Sequence, residues 1–94
     1  MTLARVVSFD GVDADRMAQM ASQVTEGERP EGLPATEMMM LHDAETNTAL
    51  AVIFFADEED YRQGDAVLSA MPDGETPGKR VSVRKYTVAV RVTA

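Results

Sequence analysis

The side chains best suited to acid–base chemistry in this chain are one histidine, His42, and two tyrosines, Tyr61 and Tyr86. Histidine exchanges a proton near neutral pH, so His42 can act as a general base or contact a ligand. It stands at the end of a predicted strand, just before Asp43, where a hydrogen-bonded or exposed structural histidine is the competing interpretation. The two phenols can orient a ligand or donate a proton, but both also occupy positions where a tyrosine simply packs.

A charge and a group of thioethers complete the candidate site. Arg5 lies inside an apolar strand, which indicates a salt bridge across a dimer, a side chain that reaches the sheet end, or an anion anchor in a pocket. Met38 and Met40 belong to a methionine-rich segment that suits an adaptable apolar pocket, a plain core or a dimer seam. The predicted pocket-lining residues are Arg5, Met38, Met40, His42, Tyr61 and Tyr86.

Composition removes several classes of function. The chain has no cysteine, which excludes disulfides, thiolate zinc sites and a cysteine nucleophile. One histidine and scattered carboxylates give no metal-ligand spacing, and phosphate-binding or dinucleotide fingerprints are absent, so we predict no metal and no cofactor. A net charge of -7 disfavours nucleic acid and membrane partners. No apolar run approaches the length of a membrane span, and a cytoplasmic location is expected.

Hydrophobic periodicity and turn residues divide the chain into six elements. Alternating or continuous β-branched and apolar runs predict strands, and apolar residues at helical spacing predict helices. Asp13 and Asp57 are the predicted N-caps of the two helices, and Gly27 is the predicted end of the first. The predicted strands span residues 3–9, 35–43, 49–56 and 80–93, with loops at 28–34 and 72–78.

The resulting β-α-β-β-α-β order predicts a single α+β domain over residues 1–94 with a ferredoxin-like layout. In that layout a four-stranded antiparallel sheet carries both helices on one face. The third strand, 49–56, is apolar on both faces, and the residues around Met39 repeat the pattern. A sheet with one face in water would alternate between apolar and polar residues. We therefore predict that a second copy of the chain covers the face without helices.

The segment from Gly32 to the end resembles small bacterial proteins of the dimeric α/β-barrel superfamily, the group that includes antibiotic-biosynthesis-monooxygenase-like domains. The resemblance is carried by GLPATEMMMLHDAETNTALAVIFFADEEDYR and by VSVRKYTVAV. It implies two sheets that close into a barrel between subunits, with a pocket between the sheet and the helices of each. Many such proteins have no assigned activity, whereas others are cofactor-independent oxygenases.

Two functional hypotheses follow. The first is a homodimer of unknown activity that binds a small apolar or aromatic molecule, or only assembles with itself. The second is a cofactor-independent monooxygenase that acts on a small aromatic substrate. Whether the protein is an enzyme is left open by the sequence. A pocket in which His42 and a tyrosine converge would favour the enzyme.

Overall fold

A computed structural model describes residues 1–26, 32–70 and 78–93 of the chain. The elements are β1 (Leu3–Asp10), α1 (Ala14–Glu26), β2 (Glu37–Asp43), β3 (Thr48–Phe55), α2 (Glu58–Ser69) and β4 (Lys79–Thr87). The four strands form one antiparallel sheet in the order β2-β3-β1-β4. This confirms the predicted α+β class, the element order and the four-stranded antiparallel sheet, and the arrangement is compatible with a ferredoxin-like fold.

Both predicted helix starts are confirmed by their capping hydrogen bonds. The Asp57 side chain accepts a hydrogen bond of 2.8 Å from the backbone N–H of Asp60. Asp13 accepts one of 2.7 Å from the N–H of Arg16. An aspartate at this position satisfies a backbone donor that has no partner within the helix. Gly27 and most residues of the two predicted loops lie outside the described residues.

The prediction that the last strand continues to Thr93 is wrong, because β4 ends at Thr87. A strand needs a neighbour, and β1, the neighbour of β4, begins at Leu3. Val88 still donates a 2.9 Å backbone hydrogen bond to the carbonyl of Thr2, but no described strand lies beside the residues that follow it. Composition alone predicted a longer strand because the tail is rich in valine, which favours strands.

The two faces of the sheet are separated by the strand register. We call the face that the helices cover the helix side; it carries the odd-numbered residues of β1 and β3 and the even-numbered residues of β2. The opposite face, which we call the open face, carries the even-numbered residues of β1 and β3, the odd-numbered residues of β2, and residues 82, 84 and 86 of β4.

The hydrophobic core lies on the helix side in two clusters. At one end of the sheet, strand residues such as Phe55 pack on Tyr61 and Leu68 of α2. At the other end, the strands pack on Val12, with Met17 of α1 against them. Both helices therefore cover the same face. The strand residues in these clusters are Leu3, Val7, Phe9, Ala49, Ile53 and Phe55.

Gly64 lets α2 approach the sheet closely, and we expect Gly64→Ala to destabilise the fold. A Cβ at this position would lie 2.2 Å from Cε1 of the fully buried Phe55 ring. Overpacking of this kind costs about 1–3 kcal/mol, which outweighs a gain in helix propensity of about 1 kcal/mol. Urea unfolding should show a net loss of about 1 kcal/mol. Arg62→Ala, at an exposed position of the same helix, is the control and should change the free energy of unfolding by no more than about 0.5 kcal/mol. A Gly64→Ala variant as stable as the original protein would contradict this packing.

Candidate functional site

The structure divides the six predicted pocket residues between the two faces of the sheet. Arg5, Met38, Met40 and His42 all lie on the helix side, and Tyr61 reaches the same side from α2. Tyr86 pairs in register with Ala4 and therefore lies on the open face, where it is exposed.

Arg5 is a buried cation that is paired within its own chain. Its side chain is 3% exposed, and Nε donates a 2.8 Å hydrogen bond to Oδ1 of Asp65 on α2. Nη2 makes a longer contact of 3.4 Å with Oγ of Ser69, one helical turn further on. A buried charge needs such a partner to offset its desolvation. The pair joins the central strand to α2.

Asp65 is the ion-pair partner of Arg5, and the sequence analysis did not identify it, although its position in the helix was informative. It follows Tyr61 by four residues and precedes Leu68 by three, so it lies on the same helical stripe as two buried side chains. A carboxylate on a buried stripe requires a cation opposite it. The only charged residue in the central strand before its final position is Arg5.

Tyr61 has a buried ring between apolar and charged neighbours. It packs edge-on against Phe55, with the ring centroids 5.4 Å apart. The ammonium of Lys85 lies 5.0 Å from its centroid and forms an ion pair with Glu58. Burial raises the pKa of the Tyr61 phenol above its ordinary value, and the charge of Asp65 raises it further. The phenol is therefore held in its neutral form at physiological pH.

His42 is hydrogen-bonded to the backbone. Its Nε2 lies 2.7 Å from the carbonyl oxygen of Val12. Because a carbonyl only accepts hydrogen bonds, Nε2 carries a proton and donates it. Val12 is fully buried, and its own N–H donates a 2.8 Å bond to the carbonyl of Asn47 in the β2–β3 turn. His42 thus ties the sheet edge to the segment that leads into α1.

We expect His42→Ala to lower the free energy of unfolding by about 1–2 kcal/mol, because it leaves the Val12 carbonyl without its donor. His42→Gln keeps an N–H donor on a side chain of similar reach and should recover part of the loss. Chemical denaturation of the three proteins measures both effects. If the alanine and glutamine variants were equally destabilised, the hydrogen bond would not be the cause.

The open face carries a continuous apolar surface toward β2 and β3. On this face Leu41 lies beside Leu50, and two residues further along the strands Met39 lies beside Val52. Leu41 is 49% exposed, and the β3 side chains on this face, Leu50, Val52 and Phe54, are half-buried. The apolar residues of this face are Ala4, Val6, Met39, Leu41, Leu50, Val52, Phe54 and Tyr86.

A concavity of about 470 Å³ lies at the hairpin end of the open face. It owes its shape in part to an irregularity between β1 and β4, where Ser8 pairs with Ser82 but Phe9 pairs with Arg80. Val81 is the extra residue in this bulge and forms one wall. The lining residues are Ser8, Phe9, Asp10, Leu41, His42, Asp43, Thr48, Ala49, Leu50 and Val81.

The C-terminal segment, residues 88–93, passes the other end of the open face. The guanidinium of Arg91 lies 5.1 Å from the ring centroid of Phe54 and forms an ion pair with Glu37. Val90 and Val92 on the same segment are 79% and 85% exposed. The exposed apolar surface of the sheet therefore extends onto this C-terminal segment.

The described residues contain no cluster of three or more histidine, aspartate or glutamate side chains able to hold a metal ion. Neither helix, over the residues that the structure describes, is long and apolar enough to cross a membrane. No family model matches the chain, and comparisons with curated proteins and with solved structures found no match. The open face and its concavity are the features of the described structure that can support a function.

Proposed function

We propose that this protein is a small homodimeric binding protein. Two copies associate through their open faces, and the concavity at the hairpin end then holds a small apolar or aromatic molecule beneath the partner's sheet. The observation that carries the proposal is the continuous apolar surface on the face that the helices leave uncovered. Apolar patches of this kind on a small domain mark interaction sites.

The size of the open face suits a second copy of the same sheet. Strands of seven to nine residues in a four-stranded sheet give a face of about 19 Å by 27 Å. Two such faces in contact cover about 1,000 Å² in projection, which reaches the lower bound of a specific interface. The exposed Val90 and Val92 add further apolar area beside it.

A copy of the chain is also the partner that the fold itself supplies. A domain of 94 residues buries a modest fraction of its surface, and this one has no disulfide to compensate. Two identical sheets packed face to face form one shared core about 10 Å thick. This is the association that the resemblance to dimeric α/β barrels implies.

The concavity supports binding more than catalysis. Its volume lies in the range of small-molecule sites, and Leu41, Leu50 and Val81 give it apolar walls. The prediction placed a ligand between sheet and helices, whereas this concavity is on the opposite face. Neither tyrosine lines it, and although His42 is among the lining residues, its imidazole lies on the helix side, where it is hydrogen-bonded to the Val12 carbonyl. A binding role therefore takes precedence over the monooxygenase alternative.

Sedimentation velocity and a neutral probe, 2-phenylethanol, test the two parts of the proposal. We expect a species of twice the chain mass of 10.2 kDa at micromolar concentration. We also expect 2-phenylethanol to bind with a Kd of about 1 mM and to shift the NMR signals of the Leu41, Leu50 and Val81 methyl groups. A monomer at these concentrations would refute the association, and a dimer whose methyl signals do not move would refute the binding site.

A further inference from the structure

The charged side chains that line the concavity set its preference for ligands. Its carboxylates come from Asp10 and Asp43, which stand in one register row on either side of Thr48. Among the residues that the structure describes, no lysine or arginine belongs to the lining. A ligand in this concavity would therefore touch apolar walls and face two carboxylates at one end.

Among the described residues, neither carboxylate forms an ion pair. Lys79 completes the same row beyond Asp10, yet it does not line the concavity and forms no ion pair with Asp10. Asp43 accepts a 3.0 Å hydrogen bond from the N–H of Glu45 in the hairpin turn. Chiefly through this bond, the pKa of Asp43 is lowered from its ordinary value, so the carboxylate stays charged.

The charge of the whole chain acts in the same direction. At a net charge of -7 the long-range potential attracts cations to the molecule and repels anions. Asp10 and Asp43 are exposed in the single chain, so solvent screens their attraction for a cation less only once the partner's sheet encloses the concavity.

We propose that the concavity binds a small hydrophobic amine: an apolar or aromatic body between Leu41, Leu50 and Val81, with its ammonium group at the carboxylates of Asp10 and Asp43. This inference rests on the proposed function, because the partner's sheet completes the enclosure. The ammonium group is the added element, and it separates this ligand class from neutral and anionic aromatics.

The test compares three probes of nearly equal shape by NMR titration: 2-phenylethylamine as the cation, 2-phenylethanol as the neutral form and 3-phenylpropionate as the anion. We expect the amine to bind roughly tenfold more tightly than the alcohol, and the anion more weakly than both. Raising the salt concentration should weaken the binding of the amine and leave the affinity for the alcohol unchanged.

Three variants assign the effect to the two carboxylates. Asp10→Asn and Asp43→Asn should each reduce the preference for the amine about threefold, and the double variant should abolish it. Asparagine at position 43 retains the oxygen that accepts from Glu45, so the turn is kept. Asp15→Asn, on α1 and exposed, is the matched control and should have no effect.

The outcomes separate this inference from the proposed function. Equal binding of amine and alcohol to the dimer would overturn the amine preference and leave the homodimeric binding site standing. A preference that survives in the double variant would also overturn it. Failure of both probes, or a monomer in sedimentation, would overturn the proposed function and this inference with it.

Discussion

Leu41→Asp is expected to convert the proposed dimer into a monomer while leaving the fold intact. Leu41 lies on the open face, and a twofold axis would place both copies of the new carboxylate in the interface. Each buried, unpaired charge costs several kcal/mol, so the association should weaken at least about 100-fold. Sedimentation velocity over a concentration series measures the change, and circular dichroism checks the fold.

Val83→Asp is the matched control for this experiment. Val83 pairs in register with Val7 and so lies on the helix side of β4, at 42% exposure against 49% for Leu41. The same substitution at nearly the same exposure, but on the other face, should change the dissociation constant of the dimer by less than about threefold. If Val83→Asp dissociated the dimer and Leu41→Asp did not, the interface would lie on the helix side, and association through the open face would be refuted.

Of the substitutions at the Arg5–Asp65 ion pair, Asp65→Ala should lower the free energy of unfolding more than Arg5→Met does. Asp65→Ala leaves the guanidinium of Arg5 buried without its counter-charge. Because Asp65 itself is 44% exposed, the cost is expected at about 2–3 kcal/mol, below the range for a fully buried pair. For a domain of this size the melting temperature should fall by about 10–20 °C.

A second substitution distinguishes an ion pair from ordinary packing. Arg5→Met removes the buried charge and keeps much of the side-chain volume, so Asp65→Ala should cost less than about 1 kcal/mol when made in that background. Glu59→Ala, at an exposed position of α2, provides the baseline in both backgrounds. An unchanged cost of Asp65→Ala in the Arg5→Met protein would mean that the two residues act independently.

Local rules were sufficient to predict most of the fold. The N-caps at Asp13 and Asp57 rest on chemistry within three residues, and both are confirmed. Because side chains alternate along a strand, the sequence also predicts that Leu50, Val52 and Phe54 lie on one face of the sheet and Ala49, Ala51, Ile53 and Phe55 on the other. The register confirms this division. The end of β4 was not readable, because it depends on where a different strand begins.

The candidate site was less predictable because it depends on contacts between distant residues. Arg5 meets Asp65 across 60 positions of sequence, and His42 meets Val12 across 30. Val81 lines the concavity from a bulge that follows from the pairing of two strands and has no local sequence marker. Residue type identified Arg5 and His42 as unusual, whereas tertiary pairing decided their partners.

The most direct test of the account is an isotope-filtered NOE experiment on an equal mixture of labelled and unlabelled protein. It detects contacts between copies and identifies the methyl groups that make them. We expect NOEs between copies from the methyl groups of Leu41 and Leu50 and none from Val83. Contacts confined to the helix side, or no contacts between copies at millimolar concentration, would contradict association through the open face.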